Sequence, residues 1–570
     1  MTEDPRPEHP KPMMRRDSWI NLNGDWDFSI GNEGDEVEPD FSSRIRVPFP
    51  PESRLSGIGI TDFMPVVWYR RWFRVPEGFK DRKLCLRFGA VDYDSTVWLN
   101  GEIIGGHKGG YTPFSFDVSG KMREGRNELV VRARDDNRTG VQPCGKQSTK
   151  LESHGCRYTR VTGIWQTVWM ESVGPSHLVD ITVGRTGSNR RLWAMCTLEG
   201  KPEGTLEARV EKEGKAIGSG QCPADRSAKI PIEMEEDVSN WSVDDPNLYD
   251  LEVTLRSEGC ELDRVRTYFG FKPVKIQGGE LLINGEKVFQ RLVLDQGYYP
   301  EGIYTAPSDW DLRRDIEISK EMGFDGARLH QKVFEPRFLY WADRLGYLVW
   351  GEFPSWGIDM SDPVAQQNFI SEWAEVLNRD INHPSVIGWC PFNETPRDQD
   401  ERFIRSVYRM TKIVDPGRPV IDTSGYTHVI TDVYDSHDYG QDADAFRERH
   451  SRILEDGEAY RNHPEHDVEY SGQPVMVSEF GGARWSEGSD GEDGWGYGDN
   501  PKSSEEFLGR FSSLTGALLD NPRMAGFCYT QLYDIEQEEN GLYDYQRRPK
   551  FDPRRIREIV SRGAAYEESP

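Results

Sequence analysis

Between residues 289 and 534 the chain repeats one kind of unit: a short apolar run followed by a polar stretch with helical spacing. Eight such runs occur, at 289–295, 325–330, 347–353, 386–394, 419–424, 432–439, 474–480 and 525–534. Near-continuous apolar runs suit strands buried on both faces, and strands separated by helices run parallel because each crossover returns the chain to the same end of the sheet. The intervening segments carry the helical period. In 335–346, Phe338, Trp341, Ala342 and Leu345 fall at i, i+3, i+4 and i+7 and predict one buried face. In 503–521, Phe507, Phe511, Leu514 and Leu518 do the same. Eight strand–helix units close a (β/α)8 barrel, which is the fold expected for residues 274–570.

Upstream the pattern is strands alone. Residues 1–173 hold short alternating stretches broken by Gly, Pro and Asn, such as VVWYRRWFRVP and ELVVRARDD, and predict a β-sandwich. Asn100-Gly101 predicts a hairpin turn, since both residues tolerate positive φ. Trp68, Trp72 and Trp98 are expected in the sandwich core rather than on a sugar-stacking surface. Residues 174–273 continue with period-two alternation in HLVDITVG, GTLEARVEKEG and YDLEVTLRSEG, as in an immunoglobulin-like sandwich. No catalytic constellation lies there, so this segment is expected to set the geometry between its neighbours.

Two runs of the barrel end alike. Val386, Ile387, Trp389 and Phe392 lead to Asn393 and Glu394, while Val475, Met476 and Val477 lead to Glu479 and a Gly-Gly turn. A carboxylate at the end of a buried strand is costly unless it is paired or works as an acid. The two glutamates are 479 − 394 = 85 residues apart, and a barrel spends roughly 30 residues per unit. They therefore stand on the fourth and seventh strands, which face each other across the barrel mouth. Two carboxylates at one site are what glycoside hydrolysis needs, one to protonate the leaving oxygen and one to attack the anomeric carbon. A salt-bridged structural role is the alternative for either glutamate alone.

At these residues the chain resembles glycoside hydrolase family two, the group of β-galactosidases, β-glucuronidases and β-mannosidases. NHPSVIGWCPFNE (382–394) resembles the family's acid/base signature and VSEFGG (477–482) its nucleophile segment. The likeness extends to WLNGEIIGGHKGGYTPFSFDV, GIWQTVWME, YFGF, GARLH and WADRLGYLVWGE, nearly the whole chain. It implies a jelly-roll sugar-binding domain for residues 1–173, with Glu394 as acid/base and Glu479 as nucleophile. It further implies that Arg328 holds the nucleophile ionised, that Asn393 binds the sugar 2-hydroxyl, and that His437 or Tyr439 contacts the nucleophile. Glu352, ending the third strand, reads as a salt-bridge partner behind the site. Trp389 and Trp356 suit sugar platforms, because an aromatic ring matches the apolar face of a pyranose, and core packing is the alternative for each.

The chain departs from the family where sugar identity is decided. After the first barrel strand it offers Asp295 and Gln296 instead of a histidine-rich stretch, and after Arg328 it has His330, Gln331 and Lys332 instead of Ser-His-Tyr-Pro. In IEQEENGLYDYQRRPK (535–550), Glu538 and Asn540 stand where β-glucuronidases of the family place an Asn and a Lys that grip the substrate carboxylate. An acidic group there would repel a uronic acid. The expectation is a retaining exo-β-glycosidase for neutral terminal sugars, with β-galactoside the leading candidate and β-glucuronide or β-mannoside the alternatives. Lys332 is the cation that would hold a carboxylate if the glucuronide were preferred. A catalytically inactive carbohydrate-binding protein is the rival from another class, and both glutamates count against it.

Composition closes off other classes. Seventy Lys and Arg against 97 Asp and Glu give a net charge of −27, a field that repels nucleic acid and anionic membranes. This reads as solubility, with adaptation to a salt-rich cytoplasm as the alternative. No apolar run is long enough for a membrane span, and the first residues lack the apolar stretch of a secretory signal, so a cytoplasmic protein is expected. The eight cysteines are scattered without CxxC or HExxH spacing, so free thiols, no metal and no cofactor are expected. The expected partner is a β-glycoside or oligosaccharide, in a monomer or homo-oligomer.

Overall fold

The computed structural model describes residues 4–79, 82–486 and 494–569. The first domain is a sandwich of a four-stranded and a six-stranded sheet. Trp26, Phe28, Tyr69, Leu86, Val97, Leu129 and Met170 fill the space between them, each no more than 1% exposed. Alternation builds this core: along Asp94–Leu99 every second residue is buried. The hairpin from Asp94–Leu99 to Glu102–Lys108 turns on Asn100 (φ 55°) and Gly101 (φ 84°), the left-handed pair that the Asn-Gly dipeptide predicts. Of the tryptophans, Trp68 is buried as expected and Trp72 departs from expectation. Trp68 and Trp98 stack at 5.5 Å in a separate small cluster with Phe41, beside the Arg132 guanidinium, and Trp72 is exposed under Arg126.

The second domain is one antiparallel order of seven strands that bends until the first, His177–Thr186, meets the last, Cys260–Phe269. Its interior is Leu178, Leu192, Ala194, Leu206, Val210, Ile230, Val253 and Val265.

The third domain is the barrel. Its parallel strands are β1 (Gln290–Asp295), β2 (Gly326–Leu329), β3 (Leu348–Glu352), β4 (Val386–Cys390, prolonged by Phe392–Asn393), β5 (Thr423–Ser424), β6 (Tyr434–Asp438), β7 (Val475–Gly481) and β8 (Met524–Thr530). Seven of them pair in the order β4, β3, β2, β1, β8, β7, β6, and β5 pairs with the prolongation of β4. All eight predicted runs carry a strand. The fifth shrinks to two residues because Asp422 and Asp432 turn the chain through side-chain bonds to backbone N–H groups of Val429, Ile430 and Val420. The predicted helices form over Pro336–Leu345 and Ser504–Leu519. Phe338 and Ala342 are fully buried, while Trp341 and Leu345 lie at the rim of the same core.

One feature joins the first domain to the barrel mouth. The loop 135–162, between the sandwich strands Arg126–Arg134 and Gly163–Ile164, crosses to the carboxyl ends of the barrel strands. There Cys144 and Gly145 donate backbone N–H bonds to Trp356 O, at 3.0 and 3.2 Å. Gly145 has φ 56°, and a Cβ on it would lie 2.2 Å from Gln331 O, so the loop is pressed against the barrel at a point only glycine permits. Tyr158 of this loop joins the barrel's own hydrophobic core. All eight cysteines are free thiols. Among the described residues no helix is long and apolar enough to cross a membrane.

Candidate active site

Glu394 and Glu479 meet at the carboxyl end of the barrel. The Glu394 backbone takes φ 45° and its N–H donates to Ser424 O at 2.9 Å, which turns the side chain inward from the end of β4. Glu479 sits within β7 and is 4% exposed. Between them stands His437 of β6, with Nδ1 2.8 Å from Glu394 Oε1 and Nε2 3.4 Å from Glu479 Oε1. One oxygen from each glutamate and one nitrogen of His437 lie within 4.8 Å of one another. Such a trio could also hold a cation, but here the imidazole already touches both carboxylates and a guanidinium fills the next position.

That guanidinium is Arg328, at the end of β2. Nη1 donates to Glu479 Oε1 at 2.9 Å and to Ser478 O at 3.1 Å, Nε donates to Glu352 Oε2 at 2.5 Å, and Nη2 donates to Asn393 Oδ1. Glu352 Oε1 accepts the Gln331 backbone N–H at 3.0 Å and lies 3.0 Å from His330 Nδ1. Tyr439 donates its hydroxyl to Glu479 Oε2, is 3.1 Å from Thr530 Oγ1, and stacks on Tyr497. Burial alone would raise the pKa of Glu479, but the charge of His437, then Arg328, holds it well below the usual carboxylate range. Burial alone would lower His437, and the charge of Glu479 with the hydrogen bond to Glu394 raises it. The arrangement keeps Glu479 ionised and directs a second carboxyl at the same small space.

Of the residues singled out from sequence, Asn393, Arg328, His330, Glu352, His437 and Tyr439 join the two glutamates in one bonded group. Two do not. Trp389 is fully buried in the core, its indole N–H donating to Asp415 Oδ2 at 2.9 Å, so it offers no face to a sugar. Asp295 is 1% exposed and accepts from Gly297 N–H at 3.0 Å and from the Tyr533 hydroxyl at 2.5 Å, bracing β1 against the turn after β8. Trp356 does stand at the site: its indole N–H donates to Asn393 O at 3.1 Å. Lys332 is not free, since its ammonium donates to Gly297 O and, at 2.9 Å, to Tyr304 O, and burial pulls its pKa down to about 7. Glu538 is 2% exposed, with one oxygen taken by the Tyr158 hydroxyl and the other by Asn540 Nδ2 at 2.9 Å.

Sequence reasoning missed Lys146 and Arg157, both from the loop 135–162 of the first domain. Lys146 Nζ lies 4.0 Å from the centre of the Trp356 ring and Arg157 lies 4.8 Å from it. Burial alone would lower the pKa of Lys146, and the charges of Cys156, Glu538, Glu479 and Glu394 raise it. Nothing in the local sequence announces this, because the loop belongs to another domain and its aim is set by the wedge at Gly145.

Comparison with known proteins agrees with this architecture. The family model for the sugar binding domain of glycosyl hydrolases family 2 matches residues 20–139, a second model of that family matches 179–272, and its TIM barrel domain matches 274–489. A β-galactosidase of Thermoanaerobacter pseudethanolicus is 28% identical over 420 residues, covering 70% of this chain and 55% of that protein. A putative β-glucuronidase of Formosa agariphila is 27% identical over 335 residues, covering 57% of this chain and 39% of that protein. The chain thus spans about half the length of these curated relatives, or less. Among solved structures, the β-glucuronidase of Bifidobacterium dentium complexed with coumarin-3-O-glucuronide superposes with a TM-score of 0.79 at 21% identity, over 96% of this chain and 98% of that one. The β-D-glucuronidase of Dictyoglomus thermophilum gives 0.78 at 20% identity, over 97% and 98%. At that identity the superpositions speak for the fold. With three models of one family matching in order along its three domains, the chain belongs to glycosyl hydrolases family 2.

Proposed function

We propose that this chain is a retaining, exo-acting β-glycosidase. The observation that carries the reading is that Glu479, held ionised by His437 and Arg328 as a nucleophile must be, faces Glu394 with one oxygen of each carboxyl within 4.8 Å. A close pair suits retaining glycosidases, whose carboxyls stand about 5–5.5 Å apart, whereas inverting ones leave about 6.5–9.5 Å for a water. Glu479, ionised beside Arg328 and His437, attacks the anomeric carbon. Glu394 gives its proton to the departing glycosidic oxygen, leaving a glycosyl ester on Glu479 and a free alcohol. Glu394, now a base, takes a proton from water as that water displaces the ester, and the sugar leaves with its original anomeric configuration. Asn393, fixed by Arg328 at its side chain and by Trp356 at its carbonyl, is placed to hold the sugar 2-hydroxyl. The loop 135–162 packed over one side of the mouth favours a terminal residue over an internal one.

Relatives named β-galactosidase and β-glucuronidase match side by side, so their names do not choose the sugar. The expectation of a neutral sugar, with β-D-galactoside foremost, rested on Asn540 standing where a lysine would grip a carboxylate, on family frequency, and on repulsion by Glu538, and Glu538 has both oxygens occupied by protein donors. Replacing Glu394 or Glu479 with Gln should remove nearly all activity on any glycoside that the wild type cleaves. Azide should rescue Glu394→Ala by replacing water on the glycosyl ester and should yield no retained azide product from Glu479→Ala; rescue in the opposite pattern would exchange the two roles.

A further inference from the structure

We infer that Lys146 is a specificity-determining residue and that it selects a terminal sugar carrying a carboxylate; this rests on the glycosidase reading above. Lys146 is 6% exposed and its ammonium makes no hydrogen bond and no ion pair among the described residues. An ammonium is a donor of three hydrogen bonds, and without protein acceptors these go to water or to a bound ligand. The ring of Trp356 beneath it supplies an electrostatic seat but no acceptor. Arg157 lies over the same ring and, among the described residues, donates only to Gly145 O, at 3.3 Å, so two cations of one loop face the site without a carboxylate partner there.

The carboxylates nearby are hydrogen-bonded to other groups. Glu479 has Arg328, His437 and Tyr439, Glu352 has Arg328 and His330, and Glu538 has Tyr158 and Asn540. Glu394 bonds His437, and among the described residues none of these carboxylates bonds Lys146, so its ammonium is open to an incoming acceptor. Lys146 is also fixed in place: Tyr158 N–H donates to its carbonyl at 2.8 Å, and the preceding Gly145 is wedged on Gln331 O. A preorganised cation on an aromatic floor suits a carboxylate on the pyranose ring more closely than a hydroxymethyl group, which supplies no charge.

The test uses p-nitrophenyl β-D-glucuronide and β-D-glucoside, which differ only in carboxylate against hydroxymethyl at C6, with β-D-galactoside as a third substrate. The purified full chain should prefer the glucuronide, and Lys146→Met should lower kcat/KM on it by about 100-fold, the size of one lost charge-assisted contact, while the neutral substrates change by less than about threefold. Lys146→Arg should retain most of the preference. Calorimetry gives a readout free of catalysis: wild type should bind D-glucaro-1,5-lactone more tightly than D-glucono-1,5-lactone, and Lys146→Met should erase the difference. A wild type that prefers either neutral sugar, or a Lys146→Met variant that folds and loses all substrates alike, overturns the inference. Those outcomes leave the glycosidase reading intact as long as Glu479→Gln abolishes whatever activity exists.

Discussion

Replacing Arg328 with Met removes the one side chain that touches Glu479, Glu352 and Asn393 together. Arg328 is 1% exposed, so the loss is not made good by water. Two unit charges about 4 Å apart interact by about 4 kcal/mol at an effective dielectric of 20, and breaking a buried pair by removing one partner costs about 3–5 kcal/mol. His437 still faces Glu479 and His330 still faces Glu352, so the lower end of that range applies, about 3 kcal/mol of stability. The sign for Glu479 follows from its depressed pKa. The stabilisation is fully present above the ordinary value of 4.5 and is lost as pH falls through the folded value, so weakening the pair moves the loss to higher pH. The acid limb of kcat/KM should therefore move upward by one to two pH units, at about 1.4 kcal/mol each, while turnover at the optimum falls by about 100-fold as Asn393 and Glu479 lose alignment. Adding Glu352→Gln to the variant should recover part of the melting temperature, since it neutralises the second orphaned carboxylate, without recovering turnover. An Arg328→Met protein with an unmoved acid limb and an unchanged melting temperature would refute this account of the site's electrostatics.

Tyr439→Phe removes the hydroxyl donor to Glu479 and should cost about tenfold in kcat with little change in melting temperature, since one hydrogen bond to a charged group is worth about 1.5–3 kcal/mol. His437→Asn breaks the contact with both carboxylates and should reduce kcat while leaving the fold; unchanged kinetics would reduce His437 to packing. Glu372, on the helix Pro363–Asp380, is fully buried against the sandwich, where it accepts Tyr111 N–H at 2.7 Å, and burial pushes its pKa up to about 8. The folded state keeps that proton to higher pH than the unfolded chain, so its contribution should fall by at most about 1.4 kcal/mol per unit as pH rises from the ordinary 4.5 to about 8. Glu372→Gln should flatten melting temperature against pH over that window, and a variant with the wild-type slope would show that Glu372 does not titrate there.

The barrel was legible because its signals are local: apolar runs at a regular repeat, helical spacing between them, and glutamates at strand ends. Arg328, Asn393 and Glu479 could be placed from strand position alone, since the carboxyl end of a parallel strand faces the mouth. Position along a run does not say which face a side chain takes, and there the reading failed for Trp389, which follows the same run as Glu394 yet points outward to Trp373 and Asp415. Trp72 failed likewise and is exposed under Arg126, since an aromatic on an alternating strand takes either face of a sheet. Glu538 was read as an acid that repels a uronate and is instead bound by a tyrosine 380 residues away. Lys146 lay beyond reach for the same reason. Contacts between domains have no period to read.

The double-displacement reading is tested most directly by the stereochemistry of the first product. Proton NMR on the wild type, begun within seconds of adding the preferred p-nitrophenyl β-glycoside and before mutarotation, should show the β-anomer of the free sugar appearing first and the α-anomer growing in only later. An α-anomer formed first would mean a single displacement by water, which would contradict the role of Glu479 as nucleophile and the reading of the close Glu394–Glu479 pair.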